Sequence, residues 1–154
     1  MAVSIHSVAD YFIRRAAPDA GDPMTHLKLQ KLAYYAQAWS LALEGQELFQ
    51  DDFEAWVHGP VARSLYDRFA SFGWNPITPD TCTEMQLPEE VAAFLDEVWE
   101  VYGQYSAKRL EDLTHDEAPW VDARGDLDPL ARCSHVISKD VMREYYSAVA
   151  AEAL

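Results

Sequence analysis

Lysine and arginine are scarce in this chain: twelve of them face twenty-six aspartates and glutamates in 154 residues, a formal net charge of −14. Neutralising phosphates takes clustered cations, so nucleic acid is excluded as a principal partner. Cysteine is scarcer still. Cys82 and Cys133 form no CxxC pair and read as free thiols, the pattern of a reducing compartment rather than of a disulfide framework. The five histidines make no HExxH and no pair one helical turn apart. Cys133 and His135, two residues apart in a loop, are the nearest approach to a ligand set, and no metal is expected. The six glycines fall into no GxGxxG or GxxxxGK[ST] frame, so no nucleotide or other cofactor is expected either. Only isolated apolar residues precede Arg14 and Arg15, and no run approaches the roughly 18 residues of a membrane span. The expectation is a cytoplasmic protein without membrane contact.

What the chain does have is hydrophobic residues at 49%, with five tryptophans, enough to offset the ordering entropy of folding. Its length suits one core, and a single domain over residues 1–154 is expected. The acid excess is concentrated, with thirteen acidic and three basic residues between Glu84 and Asp128. It either attracts a basic partner or only keeps an aromatic-rich domain in solution, and composition leaves both open.

Apolar spacing predicts a mainly α fold of about six helices around a central one, near residues 25–45, with a small two- or three-stranded β element. Ile5, Val8, Ala9, Phe12 and Ile13 mark a first helix, with Ser7 as its N-cap and Pro18, Gly21 and Pro23 as its stop. Thr25 and Gly45 bound the second. Leu29, Leu32, Ala33, Ala36, Ser40 and Leu43 line one of its faces and Leu27, Tyr34 and Leu41 another, which suits the buried centre of the fold. Phe53 to Val57 alternate as a short strand does. Gly59 and Pro60 suit the start of a third helix, carried on by Val61, Leu65 and Phe69 and ended before Gly73. After a surface connection from Asn75 to Leu87, Pro88-Glu89-Glu90 open a fourth helix buried through Val91, Phe94, Leu95, Val98 and Tyr102 and stopped by Gly103. Ser106 caps a fifth. The Asp-rich stretch from Asp116 to Asp128 reads as irregular, His135 to Ile137 as a brief strand, and Ser138 as the cap of a last helix buried through Val141, Met142, Tyr145 and Val149.

Chemistry is thinly represented. His115 with Asp116 and Glu117 makes the best acid–base cluster, and Cys82 with a distant histidine the best nucleophile, yet both are defined by geometry that a sequence does not carry. A histidine closing a short helix more often interacts with the dipole's negative end.

Three segments together identify a relationship: Leu29-Gln30-Lys31-Leu32-Ala33-Tyr34-Tyr35-Ala36-Gln37-Ala38-Trp39; Phe53-Glu54-Ala55-Trp56-Val57-His58-Gly59-Pro60-Val61, with Leu65-Tyr66 after it; and Leu113-Thr114-His115 followed by Pro119-Trp120. Their order and separation resemble the signature blocks of the SocA/GepA-like Panacea antitoxins of bacterial and phage toxin–antitoxin systems. The resemblance runs from about Ser7 to Tyr146 and implies a non-enzymatic protein that binds and neutralises a cognate toxin. The matching positions are Lys31, Tyr34, Tyr35, Gln37, Trp39, Trp56, His58, Gly59, Pro60, Val61, His115 and Trp120.

Leu29, Leu32, Trp39 and Trp56 read as the structural core of this motif, the two indoles knitting the central helix to the sheet. The expected partner surface comprises Lys31, Tyr34, Tyr35, Gln37, the turn His58-Gly59-Pro60-Val61, His115 and Trp120, because amphipathic rings recur at interface hot spots. Two other readings are an adaptor delivering a bound toxin to an ATP-dependent protease and a hydrolase or transferase built on His115.

Overall fold

The computed structural model of the chain describes residues 2–16, 24–83 and 87–152. The first helix, α1 (Ile5–Ala16), opens on Ser4, whose hydroxyl accepts from the His6 amide at 3.1 Å and whose carbonyl accepts from Ser7 and Val8. Ser4 therefore does the capping expected of Ser7, which lies inside the helix and is buried. The stop expected at Pro18, Gly21 and Pro23 lies outside the described residues.

The central helix, α2 (His26–Glu44), has the ends its sequence announces. Thr25 accepts from the Lys28 amide, and Gly45 turns left-handed at φ 68° with its amide on the Leu41 carbonyl. It packs against five further helices or their neighbours, and from Lys28 to Ala38 every side chain is buried. It surfaces at its two ends, partly at His26 and Leu27 and further at Leu43, expected on the buried stripe and 59% exposed.

Next comes a hairpin of β1 (Glu54–Trp56) and β2 (Gly59–Val61), antiparallel, with Glu54 opposite Val61 and Trp56 opposite Gly59 across the two-residue turn Val57-His58. Gly59 and Pro60 are thus strand residues rather than a helix start. Proline fits because its partner Ala55 directs its own amide to the His135 carbonyl and its carbonyl to Arg124, so that no ladder bond needs the missing amide. Val136 bridges Glu54 on the other edge, which is all that becomes of the strand expected at residues 135–137. The helix α3 (Arg63–Phe69) starts later than expected and ends through a 3-10 turn before Gly73.

Then follow α4 (Glu89–Tyr102), with two acidic residues in its first turn as its sequence implied, and α5 (Ala107–His115), capped by Ser106 on the Arg109 amide. Residues 118–124 form a helix where an irregular stretch was expected: α6 (Ala118–Arg124) buries Pro119, Trp120 and Arg124. With about two turns and acid on its outer face, it offers no apolar period for pattern reading to find. Last is α7 (Lys139–Glu152), started by Ser138 and laid along α2; its inner residues are Met142 and Tyr146, while Val149 faces out. Among the described residues no helix is long and apolar enough to cross a membrane.

The buried polar groups of α2 hold the neighbouring chain in place. Gln37 accepts from the Leu48 amide at 2.6 Å and donates to the Phe49 carbonyl at 2.7 Å. Replacing it by leucine leaves both main-chain groups without partners inside the core. Gln37→Leu is expected to cost roughly 2–4 kcal/mol in urea unfolding, and a loss under about 0.5 kcal/mol means that this amide does not hold the loop.

Candidate functional site

Gly59 has a φ of +107°, and a Cβ built on it meets Lys31 Cε at 2.4 Å and Thr114 Oγ1 at 3.0 Å. The hairpin can therefore lie this close to α2 and α5 only with glycine here. Lys31, fully buried, donates from Nζ to the Pro60 carbonyl at 3.2 Å. Burial, only partly offset by the Glu111 carboxylate, pushes its ammonium down to about 7. One residue earlier, Gln30 bonds Ala62 in both directions, accepting from its amide at 2.9 Å and donating to its carbonyl at 3.2 Å. The same Gln30 amide donates to His26 Nε2, consistent with an imidazole that burial and the Lys31 charge push down to about 4.

Of the hairpin turn, His58 projects outward, its side chain 63% exposed and its Nδ1 3.1 Å from Glu111 Oε1. Lys108 takes the other oxygen of that carboxylate at 3.3 Å. Behind the turn, His115 stacks on Trp120 with centroids 4.1 Å apart and bonds the Val57 main chain. Its Nε2 is the buried side-chain polar atom that has no partner among the described residues, and burial lowers its proton affinity. Trp120 in turn donates to the Trp56 carbonyl at 2.8 Å, and Arg124 lies over its ring.

Most motif residues expected to touch a partner thus lie beneath the surface. Lys31, Tyr34, Tyr35 and Gln37 have no exposed area; Gly59, Pro60, Val61 and Trp120 are buried and His115 half-buried. Tyr35 donates to Glu117 at 2.8 Å, Tyr146 donates to the same oxygen at 2.7 Å, and Tyr34 lies 3.1 Å from the Tyr146 hydroxyl. Burial outweighs those bonds and raises the affinity of Glu117 for its proton. His58 is the one member of the expected contact set with an exposed side chain. Leu29 and Leu32 are fully buried. Trp39 does not reach the hairpin: it donates to the Tyr102 hydroxyl at 2.8 Å and packs on Tyr146. Trp56 is half-buried between Tyr66 and the Arg63 guanidinium, which sits 5.1 Å from its ring.

Trp56 forms a wall of a groove of about 870 Å³ that runs between the start of α2, the hairpin, α3 and the segment 132–134. Leu27, Val61, Tyr66 and Trp74 supply its other apolar surface and Arg63 and Arg132 its cations. Sequence spacing had no means of assembling it, because its walls come from four separated segments. The acid–base set drawn from sequence is not assembled: Glu117 turns to Tyr35 and Tyr146 while His115 faces Trp120 and Val57. Cys82 contacts the Asp10 carbonyl, and burial and the Asp10 charge raise its thiol. Among the described residues no three His, Cys, Asp or Glu side chains gather as a metal site.

The family profile described as "Antitoxin SocA-like, Panacea domain" matches residues 29–121, more than half the chain. The chain belongs to the SocA-like Panacea-domain antitoxin family. Antitoxin SocA of Caulobacter vibrioides (strain NA1000 / CB15N) is 28% identical to it over 130 residues, covering 77% of this chain and 69% of that protein. No solved structure matches. In this Panacea domain the matched region begins in α2 and ends in α6, so it contains the hairpin, its supports Gln30 and Lys31, and the His115–Trp120 stack. Outside it lie Leu27 and Arg132, both on the groove.

Two measurements test how the hairpin is held. Gly59→Ala places a side chain at positive φ against Lys31 and is expected to destabilise by about 1–3 kcal/mol or more; a melting temperature unchanged from wild type would refute the close approach. Lys31 gives a pH signature. Between its folded value near 7 and its unfolded value of 10.5, the unfolded chain carries a proton that the folded chain lacks, so rising pH favours folding. The unfolding free energy of wild type relative to Lys31→Met is expected to rise between pH 7 and 9 by up to about 1.4 kcal/mol per unit, and a difference independent of pH means that Lys31 is not buried.

Proposed function

We propose that this chain is an antitoxin that binds a cognate protein toxin in the cytoplasm and silences it by occupying its surface, with no bond made or broken. Family membership supports the class, and the observation that carries the mode of action is the locked hairpin. Its underside is tied to α2 through Gln30–Ala62 and Lys31–Pro60 and to α6 through Trp120–Trp56, leaving His58 and the groove beside it outward. A surface fixed before contact does not pay the ordering cost of a mobile one. In this reading Lys31, Tyr34, Tyr35, Gln37, His115 and Trp120 position the binding face, and His58, Trp56, Tyr66 and Trp74 touch the toxin. Catalysis has little to use here: His115 bonds the Val57 main chain and leaves its Nε2 without a partner among the described residues, and the Glu117 carboxyl is held between two tyrosine hydroxyls.

The test is co-expression with the product of the neighbouring reading frame. That product is expected to arrest growth alone, to be harmless beside this chain, and to co-purify with it without nucleotide or protease. A toxin whose lifetime shortens only when this chain is present, with no stable complex, replaces masking by delivery to a protease. Growth arrest that this chain does not relieve sinks the antitoxin reading.

A further inference from the structure

The groove beside the hairpin differs in charge from the molecule around it. The chain carries −14, with twenty-six acidic residues, yet among the described residues no aspartate or glutamate lines the groove, whereas Arg63 and Arg132 do. Arg63 shares its guanidinium with Glu54 at 3.2 Å, and that carboxylate also accepts from the Trp56 indole at 2.9 Å, so this acid and Arg63 offset one another and Arg132 is the cation left over. Arg132 is exposed and makes no hydrogen bond or ion pair among the described residues. His26 adds no positive charge at neutral pH, because burial holds its imidazole neutral. Between the cations the walls are aromatic, with Trp74 78% and Tyr66 38% exposed, large rings left in water unless something covers them.

We infer that this groove takes a short segment of the toxin that carries a bulky apolar residue beside an aspartate or glutamate. The inference rests on the antitoxin reading and names the chemistry its binding face selects. The apolar side chain enters between Trp56, Tyr66 and Trp74, and the carboxylate meets the Arg132 fork, which matches it in plane and in number of donors. Net charge alone favours a basic partner, and most of this surface repels an acidic one. A carboxylate is thereby accepted at the groove and disfavoured around it, which fixes where and how the segment docks.

The experiment uses the full chain and overlapping synthetic peptides tiling the product of the neighbouring reading frame, with the intact product measured in parallel. Arg132→Glu and Trp74→Ala alter exposed side chains, and unchanged melting temperatures verify that each variant is folded. Peptides with adjoining acidic and apolar residues are expected to bind, each variant to weaken peptide and intact toxin about tenfold, and an acid-to-lysine change in the peptide to restore binding to Arg132→Glu. Leu43→Glu, on the exposed end of α2, is the control and is expected to leave binding unchanged. Equal binding by wild type and both groove variants overturns the groove assignment and leaves the antitoxin reading standing. Capture of basic peptides instead, or a dimer of this chain that Trp74→Ala dissolves, overturns it as well. A wild-type chain that binds neither toxin nor peptide overturns both.

Discussion

Everything in this fold hangs on the polar side chains buried along α2, each of which bonds the main chain of a segment wrapped around it. Gln30 binds Ala62, Lys31 the Pro60 carbonyl, Gln37 Leu48 and Phe49, and Ser40 the Gln46 carbonyl. A helix covered on every side must give each such group a partner, since an unpaired one costs far more than a paired one contributes. The same necessity fixes the course of the chain. Segments 46–49 and 60–62 lie where those amides and that ammonium can reach them, and the hairpin inherits its position from residues one turn inside α2. Leu29, Leu32 and Ala36 supply the burial that keeps the helix central, but they do not say which loop passes where.

Charge inside the core is handled in four separate ways, and together they keep it electrically quiet. Asp10 is paired with Arg68 at 2.5 Å and accepts from the Thr83 amide and hydroxyl; burial pushes its carboxyl up, but those partners outweigh it and hold the carboxylate ionised. Arg124 distributes its guanidinium donors over the carbonyls of Ala55, Asp128, Pro129 and Ala131. Lys31 moves toward its neutral amine and Glu117 toward its neutral acid, because each is buried without a full counter-ion in contact. The surplus of acid therefore belongs to the surface, and the groove, which no acid lines among the described residues, stands out against it.

The elements were legible where a boundary has its own local chemistry. Thr25 and Gly45, Ser106, Ser138 and the acidic first turn of α4 mark ends that depend on a few consecutive residues, and all lie where their side chains put them. The dipeptide Gly59-Pro60 suits a helix start equally well; what makes it a strand is Ala55 turning its bonds away and Lys31 waiting underneath, neither of which is local. The helix α6 escaped because Trp120 and Arg124 share its inner face, and an arginine in an acid-rich stretch does not read as buried. Within the motif, the family was recognisable while the roles were not. On a helix buried all round, periodicity has no phase, so nothing in Lys31-Leu32-Ala33-Tyr34-Tyr35 tells an inward ring from an outward one.

That burial changes what the motif means. In the reading proposed above, most of its buried residues are scaffold for a short turn, and the side chains that meet solvent beside that turn are drawn partly from elsewhere: Leu27 before the matched region, Arg132 after it, and Trp74 from the turn following α3. Replacing Lys31 or Gly59 disturbs the position of the whole hairpin, whereas replacing Trp74 or Arg132 alters only what the finished surface offers. A fold divided in this way can keep its buried bonds and vary its exposed ones, because the two sets share few atoms and their effects on stability and on binding are close to independent. The toxin's identity, in this reading, is encoded in the groove's rim rather than in the motif by which the family is known.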